Sequence, residues 1–381
     1  MTTSLVDRVR SRLVAHQSDA TPARVVAALR AEGLVLGDDA VLDLVQSLRQ
    51  DLVGAGPLEP LLREPGVTDV IVNGPAEVWV DRGSGLVRTD VRFASDADVR
   101  RLAQRLAATA GRRLDEASPF VDARMPDGSR LHCVIAPIAT AGTLVSLRIP
   151  HRVAFTLDEL IARGSIDESG AQWLREIIAG RLAFLICGGT GSGKTTILST
   201  LLGLVPQHER IVIVEDSTEL APDHAHCVSM QARPANVEGA GVVTLRDLVR
   251  QALRMRPDRI VVGEVRGAEV VDLLGAMNTG HEGGCGTIHA NSASAVPARL
   301  EALGLMAGLD RLAVHALVSA GVDAVLHLGR SSIGHRFVAG VHVLNRDDAG
   351  FVHTTAALTR RGGTLQPDEG FAQFTDRLRP S

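Results

Sequence analysis

Apolar positions along the chain change their period several times, and the changes mark its parts. Between residues 1 and 54, Val41, Leu44, Val45, Leu48 and Leu52 recur at three- and four-residue steps and line one helical face. Leu5, Val9 and Leu13 repeat the pattern more weakly. Both predict a helical N-terminal segment over 1–54. From Gly56 the steps shorten. Val70–Val72 and Val78–Val80 read as strands around the turn residues Asn73-Gly74-Pro75. Asp96–Ala110 reads as a helix with Val99, Leu102 and Leu106 on one side. A hairpin follows, turning at Pro126-Asp127-Gly128. In its second strand Leu131, Cys133 and Ile135 share a face, which leaves Arg130 and His132 on the other. Val145, Leu147 and Ile149 alternate in the same way with Ser146 and Arg148. A small α+β domain is expected over 55–150.

Past a linker at 151–157 the apolar runs become unbroken and alternate with helices. Leu182–Cys187, Ile211–Val214 and Ile260–Val262 are strand-like runs. Helices are expected at Asp158–Ala179, from Lys194, at Leu245–Met255 and at Glu269–Met277. That alternation predicts an α/β domain over 158–340, its parallel sheet covered on both faces. Residues 341–381 read as a small antiparallel appendage with a flexible tail from Arg360 onward.

At 381 residues the chain is too long for one ordinary domain. Apolar residues at 45% and charged residues at 22% exclude bulk disorder. The net charge of −4 excludes a chain-wide basic footprint for nucleic acid, so no direct nucleic-acid partner is expected. The charge-free stretch Cys133–Leu147 is interrupted by Pro137 and Gly142, and the opening residues carry charge where a signal peptide needs an apolar core. Cys133, Cys187, Cys227 and Cys285 form no CxxC, which points to free thiols in a reducing cytoplasm and no structural zinc. Of 40 basic residues a single one, Lys194, is lysine. An arginine-biased chain that keeps one ammonium keeps it for what a planar guanidinium cannot do.

Lys194 lies in Gly188-Gly189-Thr190-Gly191-Ser192-Gly193-Lys194-Thr195, followed by Thr196. This matches GxxxxGK[ST] after an apolar strand and before a helix, the context in which backbone N–H groups cradle phosphates. The helix start adds its positive end, Lys194 reaches the β- and γ-phosphates of ATP, and Thr195 offers a hydroxyl to Mg2+. Such a loop needs carboxylates at neighbouring strand ends. Glu215-Asp216, with Glu219 behind, ends one strand and Glu264 ends another, and either can hold Mg2+ or orient water. The segment Thr279–Ser292 carries His281 and His289. With Cys285 they have the helical spacing of a metal site, but Gly283, Gly284 and Gly286 disfavour a helix there. Core histidines or a loop sensing the γ-phosphate are the other readings.

Four ordered segments together resemble the type II/type IV secretion traffic ATPases: GGTGSGKT its Walker A, VEDSTEL its Asp box, LRMRPDRIVVGEVRG its Walker B and TGHEGGCGTIHANS its His box. PLEPLL, VTDVIVNGP, DARMPDGSR and VSLRIP look like the N-terminal domain of the tight-adherence (Flp) pilus branch, and the resemblance covers about 50 to 330. It implies a RecA-like P-loop ATPase domain behind a PAS-like N-terminal domain. It implies a homohexameric, Mg2+-dependent motor that serves an inner-membrane platform protein from the cytoplasmic side. It gives Glu215 a water-orienting role and Glu264 a role on Mg2+ and water, and it lines the nucleotide site with His281 and His289. Arg130 and Arg148, and with them Arg124, would reach phosphates between the two domains, and Arg254 and Arg266 are further candidates. The box reads HEGG where HDGS is more usual, Gly263-Glu264 replaces an Asp-Glu, and the lysine that often follows the arginine of VSLRIP is missing. A conjugation motor acting on nucleic acid and a nucleotide-gated scaffold with little hydrolysis remain the rival readings.

Overall fold

A computed structural model describes residues 22–31, 54–83, 85–149, 154–233, 235, 240–280 and 282–379. Within the expected N-terminal helical segment, Pro22–Ala31 is a helix. The faces expected at Leu5–Leu13 and Val41–Leu52, and His281, lie outside the described residues. The chain divides into two compact units, Met1–Pro150 and His151–Ser381.

In the first unit β1 (Asp69–Asn73), β2 (Val78–Asp81), β3 (Leu86–Arg88), β4 (Phe120–Arg124), β5 (Arg130–Val134) and β6 (Leu144–Arg148) form one sheet in the order β3-β2-β1-β6-β5-β4. Every neighbouring pair is antiparallel. Alternation decides the faces. Val70, Val72, Val121, Leu131, Cys133, Val145 and Leu147 turn inward. There they meet Val99, Leu102 and Leu106 of the Asp96–Thr109 helix. The hairpin turns where expected, with Gly128 at φ 90° and Met125 N–H bonded to Ser129 O at 2.8 Å. On the opposite face Arg124, Arg130 and Arg148 stand side by side in register, and Phe120, Val134 and Leu144 form a second, apolar row.

The second unit is built on β7 (Phe184–Cys187), β8 (Ile211–Glu215), β9 (Cys227–Gln231), β10 (Arg259–Val265), β11 (Cys285–Ile288), β12 (Ala324–Arg330), β13 (Arg336–Arg346), β14 (Val352–Arg361) and β15 (Thr364–Pro367). They form one sheet in the order β15-β14-β13-β12-β7-β11-β10-β8-β9. From β9 to β12 the pairs are parallel, and from β12 to β15 antiparallel. The central strands β7 and β8 are buried along their whole length, as a sheet covered on both faces requires. One face packs on the helices Glu168–Ala179 and Lys194–Gly203. The other packs on Leu245–Ala252, Glu269–Met277, Val296–Met306 and Arg311–Gly321.

Three expectations are corrected. The helix expected at Asp158–Ala179 is two helices, Leu157–Ala162 and Glu168–Ala179. Thr156 opens the first with a capping box and Gly164, at φ 69°, follows its end. Asp167 caps the second through Gly170 N–H. The antiparallel strands are no appendage, because β13 pairs directly with β12 and continues the same sheet. Nor is the end of the chain a flexible tail. Its Phe371–Leu378 helix buries Phe374 completely and sets both Phe371 and Phe374 edge-on against Trp173, at 5.3 and 5.8 Å. Strand β9 and the helices Val296–Met306 and Arg311–Gly321 were not foreseen.

Candidate nucleotide site

Parallel strands bring their carboxyl ends to one edge, and the loop Gly188–Gly193 leaves β7 there. Gly188, Gly191 and Gly193 have φ of 155°, 70° and 93°, which lets the loop curl around its own amides before the Lys194–Gly203 helix begins. Lys194 is only 8% exposed. Its Nζ donates to Gly188 O at 2.9 Å and Gly189 O at 3.0 Å, so the ammonium rests against the loop it would help to neutralise. Burial pushes its pKa below the ordinary lysine value, and the charge of nearby Glu264 opposes that shift. Ser192 is buried, and its Oγ has no hydrogen-bond partner. Thr195 and Thr196 are half-buried in the first helical turn, and Thr190 stands exposed on the loop.

Two carboxylates reach the same edge in different states. Glu215, the last residue of β8, is 3% exposed, and its Oε1 accepts from Glu219 N–H at 2.9 Å and Leu220 N–H at 3.0 Å. It holds the following loop in place. Glu264, near the end of β10, keeps its side chain partly open and is met by His289 Nε2 at 2.9 Å from the end of β11. The Gly263-Glu264 pair has a spatial reason. A Cβ at position 263 would lie 2.6 Å from Glu215 Cγ, closer than side-chain atoms approach, so the buried glutamate occupies the space that an aspartate there would need. Thr287 Oγ1 donates to Gly263 O at 2.6 Å and ties β11 to the same point.

The remaining predicted residues scatter. Arg266 follows β10 and pairs with Asp216 at 2.5 Å, while Glu269 accepts from the amides of Arg266 and Gly267. Arg254 is exposed in the turn between the Leu245–Ala252 helix and the start of β10, so the structure does not bring it to the carboxyl edge. The segment before β11 enters at the same far edge, where Gly284 O accepts from Phe184 N–H and Gly283 lies against the Arg259 guanidinium. His289, at the other end of β11, follows Ile288, which pairs with Cys187 at the start of the loop. In the first unit Arg130 clamps Asp122 with Nε–Oδ1 3.1 Å and Nη2–Oδ2 2.7 Å, which holds that carboxyl below its usual pKa. Arg130 and Arg148 line an open hollow of about 310 Å3 with Asp69, Asp122, His132 and Ser146. Cys133, Cys187 and Cys285 are buried thiols pushed up to about 12, which makes them poor nucleophiles and metal ligands.

A glycine-rich phosphate loop at the carboxyl edge of a largely parallel sheet, faced by a Glu–His pair, defines a P-loop nucleoside-triphosphatase fold behind an N-terminal α+β unit. Residues 51–356 match the family described as Type II/IV secretion system protein, and the chain belongs to it. A putative conjugal transfer protein of Mycobacterium tuberculosis is 56% identical over 318 residues, covering 82% of this chain and 90% of its own. The type IV secretion system protein PtlH of Bordetella pertussis is 31% identical over 295 residues, covering 71% of this chain and 86% of its own. Among solved structures, the Legionella pneumophila ATPase DotB superposes with TM-score 0.52 at 19% identity, over 80% of this chain and 81% of that one. The pilus retraction motor PilT with bound ADP gives TM-score 0.52 at 18% identity, over 84% and 86%. These two likenesses establish the fold. No helix among the described residues is long and apolar enough to cross a membrane.

Proposed function

We propose that this chain is an Mg2+-dependent ATPase that works as a ring-forming motor of a secretion or pilus machine, in the Flp-like branch of its family. The observation that carries the reading is the meeting of Lys194, Glu264 and His289 at one sheet edge, with Glu215 locked behind them. The amides of Gly189–Thr195 and the end of the Lys194–Gly203 helix bind the phosphates. Lys194 leaves its loop carbonyls for the β/γ oxygens. Glu264, with its partner His289, orients the attacking water and takes its proton. The donors fit the metal. Thr195 Oγ1 and the accessible Glu264 carboxylate are hard oxygen ligands, and bound Mg2+ would supply charge neutralisation on the phosphates. Arg124, Arg130 and Arg148 form a row of guanidinium groups on an open sheet face, the kind of surface that completes a site on a neighbouring subunit. In a six-membered ring, hydrolysis would drive rigid-body motion and pass work to an inner-membrane platform protein.

Turnover of ATP by the purified chain should require Mg2+. It should fall by on the order of 10²-fold or more in Lys194→Ala and Glu264→Gln. Intact turnover in either variant would refute the reading. A specific rate that climbs with protein concentration and collapses in Arg148→Ala would support the ring. A conjugation motor is the second reading, since the mycobacterial relative is named for conjugal transfer. Turnover stimulated by single-stranded DNA, with steep salt dependence, would favour it.

A further inference from the structure

The antiparallel half of the sheet carries two arginines that the boxes above do not include. Arg330 ends β12 and Arg336 begins β13, and the two face each other directly across the ladder. Like charges in that position are destabilising. Among the described residues neither guanidinium has a carboxylate in ion-pair reach, and the Nε of Arg336 is buried with no hydrogen-bond partner. Both lie against the phosphate loop. A Cβ added at Gly191 would be 3.4 Å from Arg330 Nη1, and one at Gly193 would be 3.5 Å from Arg336 Cδ. The hairpin that holds them is firmly seated. Ser331 and His335 close its turn, His335 Nε2 meets Arg163 O at 3.1 Å, and Val338 N–H bonds to Ser165 O at 2.9 Å. Phe337 stacks on His335 and lies under the Arg360 guanidinium.

Sheet order says which part of a ligand they can meet. Strand β7 has β11 on one side and β12 on the other. Glu215, Glu264 and His289 all belong to the β11 side, where the terminal phosphate and the attacking water must lie. Arg330 and Arg336 flank the loop on the β12 side. We propose that Arg330 and Arg336 form a clamp for the diphosphate and nucleoside part of the bound nucleotide, the part that remains after hydrolysis. The anion relieves their mutual repulsion, and the pair sets how tightly the product is kept. The inference rests on the nucleotide reading above.

Titrate the full-length chain with ADP and Mg2+ by calorimetry, and repeat with Arg336→Ala, Arg330→Ala and Arg336→Lys. Arg299→Ala, altered at an exposed position of the Val296–Met306 helix, is the control. Each alanine variant should bind ADP about 10- to 100-fold more weakly, as expected for loss of a charge-assisted bond to phosphate. Arg336→Lys should recover part of the loss, and the effect on steady-state ATP turnover should fall on KM. Unchanged ADP affinity in both alanine variants would overturn the clamp. So would a loss confined to kcat, which would place the arginines on the terminal phosphate. Absence of ADP binding in the unaltered chain, or binding indifferent to Lys194→Ala, would refute the nucleotide reading itself. Circular dichroism melts of each variant separate lost binding from lost folding.

Discussion

Gly263→Ala is the smallest change that tests how the site is built. The added methyl would lie 2.6 Å from Glu215 Cγ and 3.1 Å from its Oε1. Neither side can give way cheaply. Position 263 is in β10, whose neighbour Val262 is in ladder with β8 and β11. Glu215 is 3% exposed and fixed by the Glu219 and Leu220 amides. Overpacking of this kind costs about 1–3 kcal/mol, and a buried hydrogen bond broken in the process adds about 1 kcal/mol. The expected stability loss is therefore about 2–4 kcal/mol by urea unfolding, with turnover falling because Glu264 is the next residue along. The decisive comparison is a double-mutant cycle with Glu215→Ala. Removing that side chain empties the space the methyl needs, so the double variant should be no less stable than Glu215→Ala alone. The coupling should therefore match the whole single Gly263→Ala loss, about 2–4 kcal/mol. Additive losses, or a Gly263→Ala chain as stable as the unaltered one, would refute the argument that Glu215 dictates glycine at 263.

Other expectations follow from the same contacts. Lys194 has its pKa lowered by burial, so the folded state binds fewer protons than the unfolded one as pH approaches 10.5. Stability of the nucleotide-free chain from this group should thus rise with pH between its folded value and 10.5, and a Lys194→Met chain should lose that rise in urea titrations at several pH values. Phe374→Ala should cost about 3–5 kcal/mol, because a fully buried ring that touches Trp173 is removed, and unchanged melting would mean that the C-terminal helix is not seated. Glu209 binds Arg259 Nε at 2.7 Å inside the unit, where Arg259 is 1% exposed. Glu209→Ala strands that charge and should cost about 3–5 kcal/mol, whereas a loss under 1 kcal/mol would show that Arg259 finds another acceptor.

Where local pattern and tertiary need coincide, the sequence was legible. Strands β7 and β8 carry runs of apolar residues because both of their faces are covered, and the phosphate loop announces itself through glycines that only its tight backbone requires. Helix Asp96–Thr109 and the hairpin at Gly128 were equally plain, since 3.6-residue and two-residue periods differ sharply. Long-range facts were not legible. No local signal says that β13 will pair with β12, or that Phe371 and Phe374 will find Trp173, about 200 residues earlier in the chain. The break carries its own marks, Gly164-Ser165 and the cap residue Asp167, which the apolar periods on either side outweigh in a reading by period alone. Arg330 and Arg336 stood among 39 arginines with no motif around them. Only the ladder that sets them opposite each other, beside Gly191 and Gly193, singles them out.

Glycine and carboxylate placement together explain how the edge divides its labour. A carboxylate that must act on water has to be reachable, and one that must fix a loop has to be buried and held by backbone amides. Glu215 meets the second requirement: it lies under the surface, and its Oε1 takes two backbone N–H groups. Glu264 meets the first, since it is partly open and its carboxylate is met by His289 Nε2 at 2.9 Å. Position 263 lies between these two demands. An aspartate there would crowd Glu215 and set a second negative charge beside Glu264, and glycine removes both conflicts at once. The Gly-Glu end of β10 is therefore the consequence of burying Glu215, and it leaves Glu264 partly open and oriented by His289.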